Sequence, residues 1–250
     1  MGTFINLTNV TGSTEKERAF FDSCRRHIKS DTEFTNMPKK IYAYWASKNV
    51  SFHFANTEKM SGAGDAKVGL QTGNNDLFYK FWFEVSKATV GKWYPCVRGA
   101  GFRRWYTDIN TVINWKNDGA EIKACKGAVI RNEQYYFRMG LSWSEISSGK
   151  ISFRYVPSGS IYDQKGPAFF PIEVPLEYAA GYLNSVVAQQ FLDVMCPTLD
   201  YSVGPVSEIP FIVEKQTEKV ENTVKRCIEC MESDERAYEE NVSFRRHPLI

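Results

Sequence analysis

At Ser61-Gly62-Ala63-Gly64 the hydrophobic pattern of the chain changes period, and it changes back after about residue 172. Between those points apolar residues alternate with polar ones and turn formers recur every few residues, the pattern of short strands joined by tight connections. Outside them apolar residues recur at intervals of three and four, as on one face of a helix. The layout predicts an α+β fold, a mixed β-sheet domain flanked by N- and C-terminal helices. We divide the chain into an N-terminal helical segment (1–60), a sheet domain (61–212) and a C-terminal helix (213–250). Strands are expected at 66–70, 78–85, 94–98, 111–114, 134–137, 151–156 and 168–170, with a helix at 117–125.

The helical segments carry their own signals. Thr14 and Glu17 have the spacing of a capping box, and Ala19, Phe20, Cys24 and Ile28 then share a helical face. The aromatic stretch from Ile41 to Phe54 predicts a second short helix. From Leu176 to Met195 one apolar stripe (Leu176, Ala179, Ala180, Leu183, Val187, Phe191, Val194) predicts a single helix ended by Pro197. A longer helix is expected from about Val213 to Tyr238. Its narrow stripe of Val220, Val224, Cys227 and Met231 suits packing on one partner.

With 250 residues, 43% hydrophobic and 24% charged, the chain can bury a sizeable core. It has no apolar run long enough for a membrane span and its first residues lack signal-peptide order, so no membrane partner and a cytoplasmic location are expected. Six scattered cysteines fit free thiols in a reducing compartment. The net charge of +2 hides a polarity. Residues 91–160 carry eleven Lys/Arg against five acids, whereas the tail from 214 to 240 is acidic. A polyanion would meet the middle of the chain.

Catalytic and metal motifs are weak. His27, His53 and His247 are the only histidines, and none belongs to a recognised nucleophile motif. Cys227 and Cys230 have zinc-ligand spacing without a second pair, so half-buried thiols are expected. Gly62-Ala63-Gly64 and Gly99-Ala100-Gly101 lack the following helix that phosphate cradling needs, and are read as turns. Glu121 and Lys123, with Asp108 or Asp118, fit a loose nuclease pattern shared by many unrelated chains. The strongest cluster mixes cations and aromatics: Lys92-Trp93-Tyr94, Arg98, Arg103-Arg104-Trp105-Tyr106 and Asn114-Trp115-Lys116. Cationic groups contact phosphates or guanine, and aromatic planes stack on extruded bases, so the patch favours nucleic acid over a plain sheet core.

Several segments, in order, resemble a known family. They run Val68-Gly-Leu-Gln-Thr-Gly-Asn-Asn-Asp-Leu-Phe78, Trp82-Phe-Glu-Val85, Lys92-Trp-Tyr-Pro95, Phe102-Arg-Arg-Trp-Tyr106 and Val112-Ile-Asn-Trp-Lys-Asn-Asp-Gly119. Tyr135-Tyr-Phe137, Leu141-Ser-Trp-Ser-Glu-Ile-Ser-Ser-Gly149, Phe153-Arg-Tyr155, Gly166-Pro167, Gly181-Tyr-Leu-Asn-Ser185, Pro197-Thr-Leu199 and Ile209-Pro210 follow. Over about residues 41–212 this series is similar to the target-recognition region of PglX-type adenine-specific DNA methyltransferases of bacterial BREX phage-defence systems, related to the TaqI-like C-terminal specificity domain.

The resemblance implies a piece of a longer restriction-modification-type protein that binds double-stranded DNA and presents one adenine to a core using S-adenosylmethionine. The family holds the flipped adenine with an Asn/Asp-Pro-Pro-Tyr/Phe motif, yet this sequence contains no Pro-Pro pair, and Asn36-Met37-Pro38 is no substitute. The expectation is therefore a non-catalytic specificity segment with no cofactor or metal of its own. Its partners would be DNA, the catalytic domain of the same parent chain and other defence proteins. A protein-interaction module is the alternative. Implied phosphate contacts are Lys80, Lys92, Arg98, Arg103, Arg104, Lys150 and Arg154; implied base readers are Gln71, Asn74, Asn75, Arg131 and Arg138. Gly69 and Gly73 are expected to shape the turn that carries Gln71–Asn75.

Overall fold

In the computed structural model all residues are described except 36, 87–90, 148, 199, 214–216 and 248–250. The chain divides into two units, Met1–Thr57 and Glu58–Ile250. The first is more than helical. Strand β1 (Gly2–Ile5) pairs antiparallel with β2 (Arg26–Lys29), and helix α1 (Ser13–Phe21) lies between them in sequence. The capping box expected at Thr14 does not form, because α1 is capped two residues earlier at Gly12, whose φ of 84° belongs to glycine. Ile28, assigned above to the helical face, lies in β2 and is exposed.

The aromatic stretch splits by task. Tyr42 and Tyr44 pack with Phe4 and Phe34, the Phe4 and Tyr44 rings stacking at 5.0 Å. The helix starts only afterwards, as α2 (Lys48–Asn56), where the Ser47 hydroxyl accepts from the Val50 amide.

The second unit opens with the short helix α3 (Met60–Ala63) and holds two four-stranded sheets. One has the order β3 (Gly64–Lys67), β10 (Ala168–Pro171), β7 (Gly140–Ser142), β8 (Arg154–Val156), all antiparallel. The other has the order β4 (Tyr79–Phe81), β6 (Thr111–Asn114), β5 (Trp93–Val97), β9 (Ile161–Tyr162). There β9 runs parallel to β5 while the remaining pairs are antiparallel. Leu70, Phe78, Ile113, Ile161, Ala168 and Phe170 meet in one core fed by both sheets.

Three expectations are corrected in this unit. Residues 134–137 are not a strand: Glu133–Tyr135 is a 3-10 turn and Phe137 takes φ 65°. The strand at 78–85 shrinks to β4, because α4 (Asn75–Phe78) precedes it and Trp82–Glu84 coils after it. The single helix at 176–195 is two, α6 (Leu176–Leu183) and α7 (Val186–Met195). The break has a partner: Asn184 accepts from the Phe153 amide at 3.0 Å and donates to its carbonyl at 2.8 Å, while Ser185 caps α7.

The expected helix at 117–125 is α5 (Lys116–Lys123), entered through three left-handed residues, Asn117, Asp118 and Gly119. After α8 (Val203–Glu208) the long helix is α9 (Glu218–Glu235), which packs on α6 through Val220 and Val224 over Gly181. The fold is α+β. Cys24, Cys96, Cys125, Cys227 and Cys230 are free thiols, and no described helix is long and apolar enough to cross a membrane.

Candidate nucleic-acid interface

The loop from Gln71 to Asn75 is built by its own polar groups. Gln71 exchanges two backbone hydrogen bonds with Val129, at 2.9 and 2.8 Å, and leaves its side chain exposed. Gly73 turns at φ +74°, where an added Cβ would lie 2.7 Å from backbone atoms of Lys126 and Ala128. Thr72, fully buried, donates its hydroxyl to Asn75 Oδ1, and Asn74 Oδ1 accepts from the Leu77 amide as the cap of α4. Each asparagine oxygen therefore accepts one bond inside the loop, while both residues are exposed. Gly69 differs from its expected role. It lies where the chain presses on β9, not in a turn: a Cβ there would stand 1.7 Å from the Tyr162 carbonyl oxygen.

Beside the loop, Asn75, Lys80 and Arg98 share the wall of one cleft of about 290 Å³ with Tyr79 and Thr111. Lys80 Nζ donates to the Asp76 carbonyl at 3.1 Å. The Arg98 guanidinium stacks over the Tyr79 ring at 4.4 Å and its Nε lies 3.9 Å from Asp163. Tyr79 donates its hydroxyl to the same buried carboxylate at 2.5 Å, and burial pushes the phenol well above its ordinary range. Asp163 and Tyr79 are thus the hidden support of Arg98, which the aromatic-basic pattern missed because Asp163 is distant in sequence.

The other cations fall into separate settings. Arg138 is exposed and lies over Tyr135 at 5.1 Å, with Lys67 on the same ring at 5.4 Å. Tyr135 donates to Asp65 at 2.7 Å, and that bond together with the Lys67 ion pair holds the Asp65 carboxyl below its ordinary range. Arg131 is half-buried and its carbonyl accepts from Tyr136. Lys92 rests on Trp93 at 5.3 Å, Arg104 on Phe102 at 5.3 Å, and Lys150 is exposed.

Two members of the predicted phosphate set sit elsewhere. Arg103 shares a cleft with Asp234, Glu235 and Glu240, so the acidic end of α9 faces it. Arg154 is only 2% exposed and is corrected from the open surface to the interior. Burial alone pulls its guanidinium down to about 10. Of the aromatics, Trp115 is core, whereas Trp93, Tyr94 and Trp105 are half-buried.

The nuclease pattern does not assemble. Lys123 is held by Asp118 and Glu133 at 2.8 and 2.7 Å, Glu121 accepts from Asn114, and Asp108 accepts from Tyr106 and Ser243. Among the described residues no three His, Cys, Asp or Glu side chains could hold a metal ion, so Cys227 and Cys230 gain no further ligands.

No protein-family model matches the chain. Its whole length aligns, at 30% identity, with the adenine-specific methyltransferase PglX of Lacticaseibacillus casei (strain Zhang), of which it covers 23%. It aligns over 87% of its length, at 31% identity, with the adenine-specific methyltransferase BrxX of Escherichia coli O9:H4 (strain HS), of which it covers 18%. The chain spans less than a quarter of each of these relatives. Its likeness to a portion of PglX-type adenine-specific methyltransferases, expected from the ordered motifs, is thus present from end to end.

Proposed function

We propose that this chain, similar along its whole length to a portion of PglX-type adenine-specific methyltransferases, is a DNA target-recognition segment acting for an N6-adenine methyltransferase in phage defence. One observation carries the reading: the chain matches less than a quarter of methyltransferase relatives yet contains no Pro-Pro pair with which to hold a flipped adenine. In this reading the S-adenosylmethionine site and the adenine pocket belong to other parts of the parent protein. The segment supplies affinity through phosphate contacts and selectivity through a few base contacts.

The cleft of Asn75, Lys80 and Arg98 and the exposed Gln71 beside it are the side chains that read or hold DNA. Exposed or half-buried Lys80, Lys92, Arg98, Arg138 and Lys150 make about four or five contacts. Titration of a short duplex with the full chain at increasing salt tests this. The expected log–log slope is about −4, falling by about one unit in Lys80→Ala and again in Lys150→Ala. Gln71→Ala should leave the slope unchanged and relax sequence preference. Absence of salt-sensitive duplex binding at low ionic strength would sink the proposal.

One feature favours the competing reading, a protein-docking module: Trp105, Cys227, Cys230 and Met231 line an almost wholly apolar surface hollow along α9. Arg103 lies beside the acidic end of that helix. Its replacement by alanine should change duplex affinity less than twofold, because phosphates are repelled from Asp234, Glu235 and Glu240.

A further inference from the structure

Phe81 and Phe83 have no use in the reading above. Their rings carry no polar atom, yet they are 52% and 61% exposed where β4 ends. Large apolar side chains of this kind more often lie inside a fold. The two ring centroids lie 5.3 Å apart and the ring planes are 5° from parallel. Among the described residues of this unit the other ring pairs are tilted or edge-on.

The backbone holds the pair out. Strand β4 ends at Phe81, opposite Thr111 of β6, and Trp82–Glu84 then coils as a 3-10 turn. Glu84 Oε2 accepts from the Phe81 amide at 2.6 Å. The Trp82 amide donates to the Asn110 carbonyl at 2.9 Å, and Trp82 Nε1 donates to the Glu240 carbonyl at 3.0 Å. Trp82 is tied down and half-buried, while the rings before and after it stay on the surface.

Phe81 also lines the cleft of Asn75, Lys80 and Arg98. A cation suited to phosphate and an apolar aromatic edge thus adjoin. Asp76 and Glu84 line the same cleft and disfavour a phosphate at the rings themselves. What bare parallel rings suit is the flat face of a base.

We infer that Phe81 and Phe83 form a wedge that enters bound duplex DNA at an opened base step, their rings stacking on base faces while Lys80 holds a flanking phosphate. Apolar wedges of this kind unstack a step and kink the duplex. The inference rests on the DNA-binding function proposed above. It adds that the segment deforms the DNA it reads, so that easily opened steps are favoured at positions no side chain contacts by hydrogen bonds.

Titration of the full chain with an intact duplex and with the same duplex carrying a central abasic site tests this at several salt concentrations. An abasic site is already unstacked, so the wild-type chain should bind it about tenfold more tightly than the intact duplex. Replacing both rings, Phe81→Ala with Phe83→Ala, should lower affinity for the abasic duplex about tenfold. The two duplexes are then bound alike, and the salt slope is unchanged because no phosphate contact is lost. Phe83→Tyr keeps a stacking ring and should keep the preference. The urea midpoint checks folding, and Phe83→Ala alone, outside the strand, carries the test should the double variant unfold. Duplex binding without a preference for the abasic site, or a preference that the double variant keeps, overturns the wedge and spares the DNA reading. Absence of salt-sensitive binding to either duplex overturns both.

Discussion

Gly69→Ala should lower the unfolding free energy by about 4 kcal/mol or more, read as the urea midpoint, and reduce the yield of folded protein. The first carbon of the side chain would stand 1.7 Å from the Tyr162 carbonyl oxygen and 2.1 Å from its carbon. Those are backbone atoms, and they have little room to retreat. The Tyr162 carbonyl accepts from the Leu70 amide, and the next amide, Asp163, donates to Val97 at the end of β5. Relief of the clash would pull β9 away from β5 and disturb the Tyr79–Asp163–Arg98 support. Gly73→Ala should cost about 1–2 kcal/mol from the strain at φ +74° alone, and more from the 2.7 Å approach to the Lys126 and Ala128 backbone. A Gly69→Ala midpoint within 1 kcal/mol of wild type would show that the close approach is not needed.

Trp143 is expected to give the second large effect. Its ring is fully buried at 5.4 Å from Phe153, and its Nε1 donates to the Tyr201 carbonyl at 2.6 Å. Trp143→Ala removes both and should cost about 3–5 kcal/mol, a large share of the roughly 5–15 kcal/mol by which a domain is stable. Trp143→Phe keeps an aromatic ring but leaves the buried carbonyl unpaired, and should cost about 1–3 kcal/mol. If the two variants unfold alike, the indole hydrogen bond dominates. A near-neutral Phe variant assigns the effect to packing.

Strand β6 matches the sequence expectation residue for residue, because Thr111-Val112-Ile113-Asn114 has a strong β-former run bounded by loop residues. The α6–α7 region was misread for a physical reason. Its stripe continues across Asn184 and Ser185, and periodicity alone cannot report that Asn184 spends its amide on the backbone of Phe153. Strands β1 and β2 were missed because four-residue strands show too little alternation beside an adjacent helical pattern. The cationic candidates were legible as residue types and not as places. In β8, Arg154 and Val156 are both buried and Phe153 just before it is too, so no alternation revealed which way Arg154 faces. The acids beside Arg103 come from more than a hundred residues further along, beyond any local motif.

The pairing of β3 with β10 joins Lys67 to Ala168. Every other strand of both sheets lies between those two in the chain. During synthesis the first sheet therefore cannot be completed until about a hundred further residues have emerged, and β3 waits with an unpaired edge meanwhile. Folding of this unit should be slow for its size, and its period of greatest exposure to misassociation falls between the making of Gly64 and the making of Pro171.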